Sequence, residues 1–377
     1  MGILLIGVFI VAKPLVDTPD WMNWLGPLSL AALVTFSLMP PLLWYARRTG
    51  LLDEPDERKK HKGSVPLVGG IAIFVGFLAT NLIYGYHRES SEVLAIMVAL
   101  VPLIVLGVID DRKNLPATIK LLIQLSAVAI VISGGVRLTF MPQVWWGDLI
   151  EIIFTTIWLI GLTNAINFLD GIDGLATSIV FIAAMAFGVV AVQTAQPFFL
   201  LLCSALGGAC LGFLPFNFKR TQATAFLGDA GSTLLGFSIA SIAIVGEWGG
   251  PGATELDVIV PLLILGVPIF DTTFITLTRF ADGRIRTFRE WIEYTGRDHI
   301  HHRLMDLGLS RHDTVGFICV ITIVLTLSAI TLKEATGFLA ILSLLQGVII
   351  LTIVGRFMLF IADDGNIEAE SSDGTTE

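Results

Sequence analysis

The chain has 377 residues, 54% of them hydrophobic and 15% charged, and a mean hydropathy of +0.81. Such a composition excludes an ordinary soluble multi-domain protein and places the chain among polytopic membrane proteins, with no nucleic-acid partner expected. The net charge of −9 says little about partners, because residues 363–377 (DDGNIEAESSDGTTE) form an acidic, apolar-poor tail that reads as disordered.

Residues 3–12 make an apolar stretch too short to span a bilayer, and no small-residue cleavage site follows it. It reads as an interfacial or re-entrant segment. Beyond it, apolar windows of spanning length recur at about 25–45, 67–85, 93–109, 118–134, 150–166, 176–192, 197–214, 230–246, 258–279, 314–332 and 336–362. The predicted fold class is therefore all-α, a polytopic membrane protein of about eleven transmembrane helices. With no internal repeat and no long linker, residues 1–362 read as one integral membrane domain followed by the tail.

Lysine and arginine set the orientation. Loops 46–66, 110–120, 215–229 and 279–313 carry 6, 3, 2 and 7 of them, and Arg356 adds one, whereas the opposite side holds only Lys13, Arg88, Arg137 and Lys333. Nineteen against four places the N-terminus outside and the C-terminus in the cytoplasm. Cys203, Cys210 and Cys319 all fall within spans and read as buried packing, and Trp145-Trp146 sits where an aromatic belt belongs.

Polar clusters collect at the mouths of the spans on the basic side. A charge inside a bilayer costs roughly 2.5–3.5 kcal/mol on insertion scales, so this placement points to use. The segment His61-Lys62-Gly-Ser-Val-Pro66-Leu-Val-Gly69-Gly70 enters the second span. Lys62 alone could be an orientation flank, but Pro66 and the glycine pair mark a shaped entry. Asp110-Asp111 ends the third span, and an isolated pair there could be a hydrated terminus neutralised by Arg112. Two carboxylates at a helix C-terminus nevertheless oppose the macrodipole. Lys120 opens the next span, within reach if the loop is tight.

Asn164, Asn167, Asp170 and Asp173 step by three, a spacing that on a helix keeps neighbours near one face. Capping would account for one or two of them, not four. Asn217 begins the run Asn-Phe-Lys-Arg after the seventh span. Asp229, within Phe226-Leu-Gly-Asp229-Ala-Gly-Ser232, would cap the eighth helix or, beside flanking glycines, support a metal or phosphate. Hard carboxylate and amide oxygens suit Mg²⁺ rather than zinc. Pro40-Pro41, Pro261 and Pro268 are expected to kink or break their spans, and Asp271 could satisfy backbone groups freed at Pro268. It is assigned no catalytic role. The last cluster, Arg297-Asp298-His299-Ile300-His301-His302-Arg303, holds half of the six histidines. A basic surface segment drawn to anionic lipid would explain its arginines, but not three histidines in four residues.

Taken together, HKGSVPLVGG, GVIDDR, NAINFLDGIDGL, PFNFKR, FLGDAGST and RDHIHHRLM resemble the motifs of the polyprenyl-phosphate N-acetylhexosamine-1-phosphate transferases, over about residues 46–312. The His-Ile-His-His form resembles the bacterial N-acetylglucosamine branch and departs from the three-histidine run usual in the phospho-N-acetylmuramoyl-pentapeptide branch. The resemblance implies transfer of N-acetylglucosamine-1-phosphate from UDP-N-acetylglucosamine to undecaprenyl phosphate, releasing UMP, with Mg²⁺ as cofactor and Mn²⁺ as a substitute. It also implies a multi-pass protein of the bacterial cytoplasmic membrane, with an active-site cleft on the cytoplasmic face. Membrane lipid and a homodimeric partner copy complete the expected partners. By matching position, Asn167 and Asp229 correspond to metal contacts, and Asp110, Asp111 and Asp170 to catalytic acids. Lys120 corresponds to a lysine holding the lipid phosphate, and Lys62, Asp173 and Asn217 to positions near the nucleotide. Arg297, His299, His301 and His302 match the loop that closes over the pyrophosphate.

Phosphoryl transfer of this kind is mostly positioning and charge neutralisation. Asp110 is the candidate base and Asp111 a positioning or metal-supporting group, with a covalent aspartyl-phosphate route left open. Another UDP-N-acetylhexosamine or phospho-N-acetylmuramoyl-pentapeptide remains an alternative donor. The product could feed O-antigen, common-antigen or teichoic-acid synthesis. From other classes, a secondary transporter would place its charges near the midplane, often in inverted repeats. A non-catalytic lipid-binding protein would have no need of the Asn/Asp series.

Overall fold

The computed structural model describes residues 24–54, 63–88, 90–246, 248, 259–287, 290, 296, 298–334 and 338–373. The short apolar stretch at 3–12, Lys62 and Arg297 lie outside them. Contacts divide the chain into two compact units, residues 1–258 and 259–377.

The first unit contains α1 (Leu25–Thr49), α2 (Gly69–Tyr84), α3 (Ser91–Lys113), α4 (Ala117–Ser133), α5 (Trp145–Leu169), α6 (Leu175–Gln193), α7 (Pro197–Asn217) and α8 (Gly228–Val245). A two-stranded antiparallel ribbon joins α1 to α2, pairing β1 (Leu52–Asp53) with β2 (Val65–Pro66). Helix α8 is the centre of the unit. It packs against α2, α3, α5 and α6, and nearly all its side chains are buried. A helix apolar all round needs such surroundings. Small residues let its neighbours come close: a Cβ on Gly107 of α3 would lie 2.2 Å from the Cα of Ala230. The large apolar side chains of α4 and α5 that remain exposed, such as Leu122 and Ile157, suit a lipid environment. Trp145 and Trp146 open α5 on its exposed side, as a belt would require, and Cys203 and Cys210 are buried.

The second unit contains α9 (Ile259–Ile264), α10 (Gly266–Ala281), α11 (Ile300–Asp306), α12 (Arg311–Glu334) and α13 (Phe338–Asp373). Helix α12 packs on α9, α10, α11 and α13. Each of the eleven expected windows falls on helix, but among the described residues eight helices are long and apolar enough for a full crossing. Helices α2 and α4, of 16 and 17 residues, are apolar but shorter. At about 1.5 Å per residue they reach roughly 25 Å, short of a ~30 Å hydrocarbon core. The ninth window is broken at Leu265, between α9 and α10. Pro268 has no N–H to offer the carbonyl of Ile264, so one rung of the helix is lost there. At the other end α13 runs to Asp373, through most of the stretch whose composition reads as disordered. Extending a formed helix costs no new nucleation, and Glu and Ala in this stretch are good helix formers.

Candidate active site

Alternation of helix direction explains where the polar residues of the first unit meet. The C-terminal ends of α3, α5 and α7 and the N-terminal ends of α4, α6 and α8 carry them, and in an up-and-down arrangement these ends face one way. At the end of α3, Asn114 adopts a left-handed conformation (φ 48°), and its N–H bonds the Asp110 carbonyl at 2.9 Å. The turn is thus tight, as the expected pairing required. Asp110 Oδ1 accepts the Leu115 N–H at 2.7 Å, and Asp110 Oδ2 is ion-paired with Lys120 Nζ.

Lys120 also donates to Asp229 Oδ2 at 3.2 Å. Asn167 Nδ2 donates to Asp229 Oδ1 at 3.1 Å and to Ser232 Oγ at 2.7 Å. Both carboxylate oxygens of Asp229 are therefore held, one by a cation and one by an amide. Asp229 is not the cap of α8. Asp111 caps it from another helix, its Oδ1 accepting the Asp229 N–H at 2.7 Å and its Oδ2 the Ala230 N–H at 3.4 Å. This resolves the macrodipole objection, since Asp111 faces the positive end of α8. Gly228 makes room for it: with φ +73°, a Cβ there would sit 2.6 Å from Asp111 Oδ2.

The four-residue series divides. Asn164 and Asn167 lie on α5, but the helix ends at Leu169, so Asp170 and Asp173 occupy the following turn rather than one helical face. Asn164 pairs with Gln124 of α4, each amide donating to the other at 3.4 Å. Asp170 lies outside the spanning helices. Its carboxyl is pushed well above the usual carboxylate range, first by burial and then by the charges of Asp229, Asp111 and Asp173. Asn217 is buried behind the cluster, with both ends of its amide engaged. Its Oδ1 accepts the Gly174 N–H at 2.7 Å and its Nδ2 donates to the Ala225 carbonyl at 3.1 Å. It ties the turn bearing Asp170 and Asp173 to the segment leading into Asp229. The entry to α2 is stitched to that same segment, Gly69 N–H bonding the Phe226 carbonyl and Gly70 N–H that of Leu227, each at 3.1 Å. Ser232 went unassigned in the sequence. Its position three residues after Asp229, on the same side of a helix, was the available signal.

In the second unit the histidine segment is anchored to α10. Arg279 grips Asp298 with two nitrogens, Nε to Oδ2 at 2.8 Å and Nη2 to Oδ1. Asp271 Oδ2 lies 2.7 Å from His299 Nδ1, and its Oδ1 accepts the Ile300 N–H at 2.9 Å. The expectation that Asp271 serves the broken backbone at Pro268 is corrected: it holds the histidine segment. Asp271 and Arg279 lie eight residues apart in α10, near one face, a relation legible only once a helix is known there. His301 is 0% exposed, and among the described residues neither ring nitrogen has a hydrogen-bond partner. His302 is partly exposed and packs against it, with ring centroids 4.2 Å apart.

Among the described residues, Asp110, Asp111 and Asp229 thus meet around Lys120 and the Asn167 amide, with Asp170 near enough to feel the charges of Asp229 and Asp111. That donor set is hard and net negative, and the Lys120 ammonium shows that a cation fits against Asp229. Among the described residues no group of three or more Asp, Glu, His or Cys forms a ready metal cage. Mg²⁺ bound by few protein oxygens and completed by phosphate and water fits such a set, and Asn167 and Asp229 are the residues that would hold it.

Fold and site define a class: a multi-pass α-helical membrane protein whose first unit gathers charged side chains at one end of its helices. Comparison with known proteins narrows it. Glycosyl transferase family 4 matches residues 93–247. The chain is 35% identical over 333 residues to the probable undecaprenyl-phosphate N-acetylglucosaminyl 1-phosphate transferase of Bacillus subtilis, covering 87% of this chain and 90% of that one. It is 30% identical to the decaprenyl-phosphate N-acetylglucosaminephosphotransferase of Mycobacterium tuberculosis, over 76% of each chain. To the undecaprenyl-phosphate alpha-N-acetylglucosaminyl 1-phosphate transferase of Escherichia coli K12 it is 29% identical, over 70% of this chain and 72% of that one. The chain belongs to the polyprenyl-phosphate N-acetylglucosamine-1-phosphate transferase family.

Proposed function

We propose that this protein transfers N-acetylglucosamine-1-phosphate from UDP-N-acetylglucosamine to undecaprenyl phosphate at the cytoplasmic face of a bacterial membrane. A lipid phosphate oxygen attacks the sugar-linked phosphorus. A new P–O bond forms, the bond to the bridging oxygen breaks, and UMP leaves with that oxygen. The observation that carries the reading is the convergence of Lys120 and Asn167 on Asp229, with Asp111 fixing Asp229 through its own backbone N–H.

The reaction brings several negative charges together, and its catalysis is mostly positioning and charge neutralisation. Lys120 is the cation of this cluster and is assigned to the lipid phosphate. Asn167 holds one oxygen of Asp229 and so sets the direction of the other. Mg²⁺, when bound by Asn167 and Asp229, supplies charge neutralisation at the diphosphate. A phosphate monoester has its second pKa near ~6, so Asp110 has to accept a proton only from the remaining monoanionic fraction. Asp170, in the turn after α5, is assigned to the same centre as a further acid; burial first, and then the charges of Asp229, Asp111 and Asp173, push its carboxyl upward. Asp173 and, outside the described residues, Lys62 are assigned to the nucleotide. Asn217 supports that turn from behind, and the histidine segment, with Arg297, is assigned to the donor diphosphate. The basic loops on one side of the spans support the cytoplasmic assignment, where UDP-sugars are available.

The test is UMP release by purified protein in detergent, with a panel of UDP-sugars. Release that needs both polyprenyl phosphate and Mg²⁺, and is fastest with UDP-N-acetylglucosamine, is expected. Release without the lipid, or none with any UDP-sugar, overturns the reading.

A further inference from the structure

Ser232 lies three residues after Asp229 in α8, fully buried, and its hydroxyl is engaged twice. Its hydrogen goes to the Gly228 carbonyl at 3.1 Å, with the Asp229 carbonyl next nearest at 3.5 Å. Its oxygen accepts a hydrogen from Asn167 Nδ2 at 2.7 Å, and the same nitrogen donates to Asp229 Oδ1 at 3.1 Å. The partner fixes which end of the amide this is. Asp229 is ion-paired with Lys120, and an ionised carboxylate only accepts, so the end of Asn167 that faces it is the NH₂. That group has two hydrogens, and both are accounted for. Asn167 Oδ1 is left over. Among the described residues it makes no hydrogen bond, and it is not enclosed, Asn167 itself being half-buried. The bond to Asp229 alone would let the amide plane swing about that contact. The second anchor, at Ser232, settles which way the oxygen looks.

We propose that Ser232 is a positioning residue for the transfer reaction: it holds the Asn167 amide with both hydrogens turned onto α8, which leaves Oδ1 as the atom offered to a divalent cation. This rests on the assignment of Mg²⁺ to Asn167 and Asp229. A hard cation takes amide and carboxylate oxygens, and an N–H turned toward it would repel it. Ser232 touches neither cation nor substrate. It acts through Asn167, in the way that outer hydrogen bonds orient the ligands of other metal sites. Because Ser232 is buried and its own hydrogen is tied to the backbone of α8, the amide direction is set before the ion arrives.

Ser232→Ala removes the anchor and almost no volume. Mn²⁺, whose free concentration is read by electron paramagnetic resonance, is titrated into purified protein without substrates, well below the unfolding temperature. The ions that Asp229→Asn no longer holds define this site. We expect Ser232→Ala to weaken that binding roughly 10-fold or more, the usual effect of removing an outer hydrogen bond from a metal ligand. The Mg²⁺ concentration needed for half-maximal UMP release should rise by a similar factor. In an Asn167→Asp background the same replacement should change Mn²⁺ affinity less than about twofold, because a carboxylate presents oxygen at both ends and needs no sorting. A general loosening of α8 would lower the affinity equally in both backgrounds, and that result overturns the proposal. Wild-type Mn²⁺ affinity in Ser232→Ala, or no Asp229-dependent Mn²⁺ binding in the wild type, overturns it as well. If the wild type releases no UMP with any UDP-sugar, the proposed function falls, and the Mn²⁺ titrations still decide whether Ser232 sets the Asn167 amide.

Discussion

Asp111 and Asp271 perform the same local task in the two units: each caps a helix from a different helix, through backbone N–H groups. Asp111 and Asp229 should accordingly fail in different ways. Asp229→Asn removes the charge that Lys120 faces, and turnover should drop about 100-fold or more with a weakened Mg²⁺ requirement and near-normal expression. Asp111→Asn cannot accept both N–H groups of α8 and should lower stability by about 1 kcal/mol, the usual worth of a cap. Thermal unfolding of the two variants side by side checks the contrast, and equal destabilisation would contradict it. His301 supplies a pH dependence. Burial first, then the charges of His302 and His299, hold its pKa well below the ordinary histidine value. Between the folded and unfolded pKa values the native chain binds fewer protons than the unfolded one. Its contribution is thus complete above about pH 6.5 and is lost as pH falls below it, at up to ~1.4 kcal/mol per pH unit. His301→Leu should remove that slope from unfolding measured between pH 7 and 5, and an unchanged slope would place the titrating group elsewhere.

At the scale of elements, the site depends on how closely α3 approaches α8. Gly107 has the backbone of Ala230 where its Cβ would be, next to the Asp229 that Asp111 caps. Because the obstructing atoms are backbone, Gly107→Ala must push the two helices apart. A cost of about 1–3 kcal/mol is expected, together with a loss of turnover larger than that cost would produce by unfolding alone. Activity per folded molecule, measured at a temperature well below unfolding, checks this, and a wild-type value would show that the spacing of α3 and α8 is not critical. The tight turn at Asn114 works in the same direction, bringing Lys120 back onto Asp110 within a few residues.

For the whole molecule, orientation is the testable matter. The loop around Gln143 connects the far ends of α4 and α5, whereas Lys219 follows the end of α7 near Asn217. Cysteine at Gln143 should react with an impermeant thiol reagent in intact cells, and cysteine at Lys219 should be shielded. The opposite labelling would remove the reaction centre from the cytosolic nucleotide pool. Arg137, on the loop expected outside, does not weaken the assignment, because Asp148 at 2.9 Å and the buried Glu151 at 3.4 Å pair with it.

The sequence by itself determined the membrane class, the all-α architecture and nearly all of the polar residues of the candidate site, and it set an expectation for the orientation. Apolar length, lysine and arginine bias and charges at span mouths are one-dimensional properties, so they survive without coordinates. Tertiary structure decided what each polar group does. Asp111 meets the N–H of Asp229, 118 residues away, and Asp271 meets His299, 28 residues away. No local spacing encodes such partners. For the same reason a cap was the local alternative for Asp229, and Asp271 read as a repair of its own helix, the nearest uses a carboxylate finds along the chain. The break at Leu265 and the turn after Leu169 likewise depend on backbone hydrogen bonds lost or ended at single residues, below the reach of hydropathy.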